Sequence, residues 1–179
     1  MSERAGAVTM KGNPLTLIGP QLKVGDQGPD FTLVTPELQE FKLSSLRGKI
    51  VVISAVPSLD TSVCDRETRR FNEEAAKLGD YVVILTISMD LPFAQKRWCG
   101  AAGIERVKTL SDHRDASFGQ SYGVLIKELR LLARTVFVLD KNGRITYIQA
   151  LKELTTEPSY DEVLKAVASL RKTPAATQA

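Results

Sequence analysis

Two thiols dominate the chemistry available to this 179-residue chain, Cys64 and Cys99, and their placements differ. Cys64 ends the run Pro57-Ser58-Leu59-Asp60-Thr61-Ser62-Val63-Cys64, which leaves an apolar, strand-like segment and enters an amphipathic helical pattern. Thr61 or Ser62 suits the N-cap, so Cys64 falls in the first helical turn, where backbone N–H groups lack partners and the helix dipole is positive. Both features favour S⁻ over SH. Cys99 falls near the C-terminal end of a second helical segment, where the dipole works against a thiolate. The two thiols are therefore electrostatically unequal, and Cys64 is expected to be both the better attacker and the better leaving group in thiol exchange. Oxidised to a sulfenic acid, Cys64 could condense with Cys99 to an intrachain disulfide. Attack needs an intact helix end at Cys64 and the disulfide needs the two sulfurs to meet, so one or both helix ends are expected to unwind during turnover.

The charges around Cys64 pose a question. Asp65 and Glu67 share its helical turn and by themselves disfavour a thiolate, so an arginine must offset them. Arg66, Arg69, Arg70, Arg97 and Arg134 are the candidates. The first three read as a solvated helix face. Arg134 stands between Ala133 and Thr135 at the start of an apolar strand, where a charge facing the core needs a partner; the bland alternative is an ordinary polar residue flanking a strand.

Other chemistries find little support. His113 is the only imidazole, and Ser111-Asp112-His113 reads as a loop and helix cap instead of a hydrolytic dyad. There is no Cys-x-x-Cys motif for direct disulfide exchange, and Gly12, Gly48 and Gly143 belong to turns, with no phosphate-cradling loop. Two cysteines and one histidine are too few for a usual zinc site without carboxylate ligands, and two thiols do not make a disulfide-dense secreted scaffold.

The elements that must position Cys64 follow from periodicity. Residues 7–18 read as a β-hairpin turning at Lys11-Gly12-Asn13-Pro14. Short strands are expected at Phe31–Val34 and Phe41–Leu43. Lys49–Val56 is an almost continuous β-branched run, typical of a central strand buried on both faces. Ser62–Leu78 has Phe71, Ala75 and Leu78 at helical spacing, with charges largely opposite. A strand over Tyr81–Ser88, a helix over Asp90–Ala102 with Pro92 in its first turn, a strand over Val107–Leu110 and a short helix over Asp115–Tyr122 come next. Two strands flank the Asn142-Gly143 hairpin signal, a helix covers Tyr160–Leu170, and the tail from Thr173 to Ala179 is expected to be disordered. This order predicts an α/β, thioredoxin-like fold, a central mixed sheet flanked by helices with an N-terminal hairpin.

Composition agrees with a single globular domain over 1–179: 43% of residues are hydrophobic and 25% charged. The net charge of +3, from 24 basic and 21 acidic residues, forms no long basic block, which disfavours nucleic-acid binding. No signal-like leader and no apolar run of roughly 20 residues appears, so a soluble cytoplasmic protein that does not enter membranes is expected.

Pro57, Thr61 and Cys64 reproduce the Pro-x-x-x-Thr-x-x-Cys motif of the peroxiredoxins, and the full run resembles their bacterial thiol peroxidase branch. The resemblance spans nearly the whole chain: Gly12-Asn13-Pro14, Asp90-Leu91-Pro92-Phe93-Ala94-Gln95 with Cys99-Gly100, Tyr122-Gly123-Val124, Ala133-Arg134 and Thr155-Thr156-Glu157-Pro158. It implies an atypical two-cysteine peroxidase in which Cys64 is peroxidatic and Cys99 resolving. Thr61 would hydrogen-bond the peroxide, Arg134 would stabilise the thiolate and the polarised oxygens, and Pro57 would shield the site from water. It further implies a homodimer, no metal or organic cofactor, thioredoxin as reductant, and organic hydroperoxides beside hydrogen peroxide as substrates. One departure is Trp98, where the branch leads us to expect Phe before the resolving cysteine. A redox-sensing interaction protein using the same Cys64 oxidation, and a structural domain with an incidental disulfide, are the competing readings.

Overall fold

The computed structural model describes residues 1–103 and 106–172; the tail expected at 173–179 lies outside the described residues. Strands β1 (Glu3–Met10) and β2 (Asn13–Ile18) form the N-terminal antiparallel hairpin. Its turn is shorter than the sequence suggests. Lys11 and Gly12 alone make it, with φ of 50° and 83°, the sense of twist that a two-residue hairpin needs. Asn13 and Pro14 already sit in β2, opposite Met10 and Thr9.

Among the described residues the central sheet has seven strands. Along the chain these are β3 (Thr32–Val34), β4 (Glu40–Lys42), β5 (Ile50–Ala55), β6 (Val82–Ser88), β7 (Lys108–Ser111), β9 (Thr135–Leu139) and β10 (Ile145–Ala150), in spatial order β10-β9-β5-β6-β7-β3-β4. The remaining strand, β8 (Leu125–Ile126), pairs with β2 and has no signal in the sequence, because two residues carry no readable alternation. Pairing is parallel for β5–β6 and β6–β7 and antiparallel for the rest, giving the expected mixed sheet. The helices are α1 (Ser62–Leu78), α2 (Pro92–Ala102), α3 (Ser117–Ser121) and α4 (Tyr160–Lys172).

Strand β5 is buried throughout because both faces of the sheet are covered. Val51, Ile53 and Ala55 point into one core with Phe118, Tyr122, Phe137 and the hairpin residues Val8, Leu15 and Leu17. Ile50 and Val52 point into the other, with Phe71 of α1 and Val163 and Val167 of α4. This parity of two sets the direction of the next residues. Ser54 falls on the α1 face, and Arg134, two positions before Val136, falls on the same face at the mouth of β9.

The hairpin also reaches toward that end of the sheet. Thr9 N–H donates to the Lys152 carbonyl and Leu154 N–H to the Thr9 carbonyl, while Glu153 accepts from Thr9 Oγ1, Gly12 N–H, and both the N–H and hydroxyl of Thr155. These bonds fix the 151–156 loop and so place the Leu154 carbonyl.

Candidate active site

The site is built where β5 ends and α1 begins. Pro57 is buried at the exit of β5 and Leu59 two residues later is also buried. Thr61 is the N-cap of α1. Its backbone is extended, its Oγ1 accepts from Cys64 N–H at 3.1 Å, and it donates weakly to the Ser58 carbonyl at 3.3 Å. Cys64 is thereby the third helical residue, the position that Thr61, of the two candidate caps, gives it. Its sulfur is fully buried beside Val56 and Leu59 with Trp98 packed against them, and its carbonyl accepts from Thr68 Oγ1.

Arg134 closes the site from the mouth of β9, the strand beside β5, on the sheet face that α1 covers. Its Nη2 donates to Cys64 Sγ at 3.1 Å, its Nη1 to Glu67 Oε2 at 2.7 Å, and its Nε to the Leu154 carbonyl at 3.0 Å. Each guanidinium nitrogen therefore has a fixed acceptor, and the planar fork cannot rotate without breaking one of them. Glu67 is itself held, since its Oε1 accepts from Ser54 Oγ at 2.7 Å. Both charges are almost completely out of water, 2% and 0% exposed. Burial opposes the charge on Arg134, but the neighbouring Cys64 and Glu67 outweigh it and hold the guanidinium above its ordinary value. Burial pushes the Glu67 carboxyl up, against the pull of Arg134 and the Ser54 hydroxyl. A fixed cation with an N–H aimed at sulfur stabilises negative charge on it.

The Ser58-Leu59 turn that carries the cap is fastened to the start of α2. Asp90 Oδ1 accepts from Ser58 Oγ, and its Oδ2 accepts from Leu59 N–H and Ser88 Oγ. Gln95 Nε2 in turn donates to Ser88 Oγ and the Leu110 carbonyl.

Cys99 stands apart from this cluster. It is half-buried, its sulfur lies 3.2 Å from Thr109 Oγ1, and it lines a cleft with Pro36, Phe41, Lys96 and Lys108. Both cysteines are free. Burial pushes the Cys99 thiol up from its ordinary value, the Thr109 hydroxyl pulls it down, and the charge of Glu37 adds to the rise. The structure thus gathers Cys64, Thr61, Pro57 and Arg134 in one place and leaves Cys99 on a separate surface of α2.

Of the other arginines, Arg66 pairs with Glu157, Arg69 with Asp65 and Arg70 with Glu74, while Arg97 is exposed. Sequence reasoning misses Glu67 and Ser54 as site residues. In the sequence Glu67 stands only as one of two acids set against a thiolate; its spacing from Cys64 along α1, together with an inward-facing Ser54, is the signal that could have found the pair. Among the described residues no group of three or more His, Cys, Asp or Glu is placed to hold a metal ion.

The matches to known proteins span the stretch that holds these residues. The Redoxin family pattern matches residues 23–164. A Thiol peroxidase of Bacillus subtilis is 59% identical over 92% of this chain and 98% of its own length, and one from Oceanobacillus iheyensis is 60% identical over 88% and 95%. Among solved structures, a peroxiredoxin-like protein from Aquifex aeolicus superimposes with a TM-score of 0.87 at 47% identity, covering 93% of this chain and 98% of that one. The thiol peroxidase from Chromobacterium violaceum, at 24% identity and a TM-score of 0.79, shares the fold, covering 90% of this chain and 95% of that one. A buried cysteine capped by the threonine of a Pro-x-x-x-Thr-x-x-Cys run, met by a clamped arginine, stands within this framework, and the chain belongs to the Redoxin family, among the thiol peroxidases of the peroxiredoxin group.

Proposed function

We propose that Cys64 is the sulfur that attacks the peroxide in this thiol-dependent peroxidase. The observation that carries the assignment is the 3.1 Å contact from Arg134 Nη2 to Cys64 Sγ at a capped helix N-terminus. The thiolate attacks one peroxide oxygen in line, the O–O bond breaks, and the leaving oxygen takes a proton, giving Cys64 sulfenic acid and an alcohol or water. Charge grows on the leaving oxygen as the bond breaks, and preorganised donors stabilise it. Arg134 supplies a fixed cation, and Thr61, which accepts from Cys64 N–H, a hydroxyl that turns its proton from the long 3.3 Å bond to the Ser58 carbonyl onto the leaving oxygen. Pro57 excludes water from the same wall.

Cys99 then condenses with the sulfenic acid, releasing water and forming the Cys64–Cys99 disulfide. A dithiol reductant attacks Cys99 and expels Cys64, the better leaving group. Thioredoxin fits the reductant's role, with hydrogen peroxide and organic hydroperoxides as substrates and no cofactor required. We assign the whole chain to one domain working in the cytoplasm as a homodimer. The described residues contain no helix long and apolar enough to cross a membrane.

Steady-state peroxide consumption with a recycling dithiol tests the assignment. Wild type should turn over many times, Cys64→Ser should be inactive, and Cys99→Ser should oxidise once and stall unless a small thiol rescues it. Oxidation of wild type that halts after one event would favour a sensor that hands its oxidised state to a partner. Trapping the mixed disulfide with the reductant on Cys64 would reverse the order of exchange between the two cysteines.

A further inference from the structure

We propose that Trp98 is a positioning residue for the second chemical step: its hydrogen bond to Asp65 holds the Cys99 segment away from Cys64 and sets how long the sulfenic acid survives. This role rests on the assignment of Cys64 and Cys99 above and adds a determinant of the exchange between them.

The geometry is specific. Trp98 Nε1 donates to Asp65 Oδ1 at 3.0 Å, and Asp65 is the residue next to Cys64. Arg69, one turn along α1, donates from Nε to Asp65 Oδ2 at 2.9 Å and from Nη1 to the Ala102 carbonyl at 3.2 Å, and its guanidinium lies 5.9 Å from the centre of the indole ring. Helix α1 therefore grips α2 at two points, one immediately before Cys99 and one at the last residue of the helix. The indole packs against the buried cluster that contains Cys64.

Adjacent residues on a helix diverge by about 100°. With Trp98 turned toward Cys64, Cys99 is turned elsewhere, and its sulfur rests on Thr109. A disulfide needs the two Cα atoms within roughly 4.4–6.8 Å, with the sulfurs bonded at about 2 Å. The indole occupies the ground against Cys64, so it must leave before Cys99 can arrive. Phenylalanine would fill much of the same space but could donate nothing to Asp65.

Two reactions compete for the sulfenic acid. With the Cys99 thiol it gives the disulfide and water. With a second peroxide molecule it gives sulfinic acid and an alcohol, or water from hydrogen peroxide, a loss that thiols do not reverse. A firmer clasp slows the first and leaves the second unaffected, so it raises the share of Cys64 lost to overoxidation at a given peroxide concentration.

Rapid-quench mass spectrometry on the full chain with hydrogen peroxide separates the steps. Trp98→Phe should form sulfenic acid at close to the wild-type rate yet form the disulfide about tenfold faster, the equivalent of one hydrogen bond to a charged group, with a matching fall in sulfinic acid. Asp65→Ala should also speed the disulfide, and adding Trp98→Phe to it should bring no further gain, because both act through one bond. A general loosening of the fold would instead slow sulfenic acid formation. Disulfide formation in Trp98→Phe no faster than in wild type, or gains from the two substitutions that multiply, would overturn the clasp while leaving the peroxidase assignment intact. Wild type that forms no sulfenic acid would overturn that assignment, and the clasp with it.

Discussion

Arg134 and Cys64, seventy positions apart in sequence, meet at 3.1 Å because the guanidinium is gripped on its two other nitrogens. Glu67 holds Nη1 and the Leu154 carbonyl holds Nε, so the third donor has one direction left to point. The same Glu67 that lowers the local positive charge is what aims the cation.

Glu67→Gln tests this aim. A glutamine oxygen still accepts from Arg134 and its amide can donate to Ser54 Oγ, so the fold should persist. The charge-assisted grip weakens, and the rate of peroxide reaction should fall about tenfold. Arg134→Ala should do more, leaving Glu67 as an uncompensated buried acid and costing about 3–5 kcal/mol of stability together with activity. Stopped-flow oxidation and urea unfolding on both variants separate the effects; unaltered kinetics in Glu67→Gln would show that Glu67 does not aim the cation.

Thr61 combines a structural and a proposed chemical role, and two substitutions divide them. Thr61→Ser keeps the cap to Cys64 N–H and the hydroxyl, and should stay near wild type. Thr61→Val loses both, with about 0.5–2 kcal/mol of helix stability and a larger proportional loss of peroxide reactivity. If Thr61→Val lost stability alone, its hydroxyl would serve only as a cap.

Stability should respond to pH through Asp112. Burial pushes its carboxyl from 3.8 up to about 6, although the N–H groups of Gly119 and Phe118 pull the other way. The folded form thus binds this proton more tightly than the unfolded form. Its stabilising effect is full below about pH 4 and is lost as pH rises through about 6, on the order of 3 kcal/mol in all. Asp112→Asn should abolish that slope yet lie below wild type at pH 4, since the amide turns a donor toward one of the two N–H groups. Urea unfolding of both proteins from pH 4 to 7 checks this, and parallel curves would contradict it.

Glu153 carries the opposite sign. Hydrogen bonds from Thr155 N–H, Gly12 N–H and the Thr155 hydroxyl hold it down from 4.5 to about 2. Its contribution is present above pH 4.5 and disappears as pH falls through about 2. Because it ties the hairpin to the 151–156 loop, Glu153→Ala should speed hydrogen exchange at Gly12 and Thr155 at neutral pH. Unchanged protection there would show that the backbone bonds of Thr9 hold the hairpin without it.

Much of the site is legible along the chain because it is local. Pro57, Thr61 and Cys64 fall within one strand-to-helix turn, where capping and dipole rules apply to neighbours in sequence. Arg134 stands out among the five candidate arginines by its place at a strand mouth, but the sequence does not name its partner, since strand register decides which side chains share a face of the sheet. The Leu154 carbonyl is invisible for a different reason: any residue has one, and only the loop fixed by Glu153 makes it an anchor. The Lys11-Gly12 turn and the two-residue β8 show the same division, for short elements take their form from pairing more than from pattern.

The most direct test of Cys64 as the attacking sulfur treats Cys99→Ser with one equivalent of hydrogen peroxide, labels the product with a sulfenic-acid-specific nucleophile, and locates the label by mass spectrometry. The label is expected on Cys64, with none in the Cys64→Ser, Cys99→Ser double variant. Peroxide consumed at an undiminished rate by that double variant would contradict the assignment.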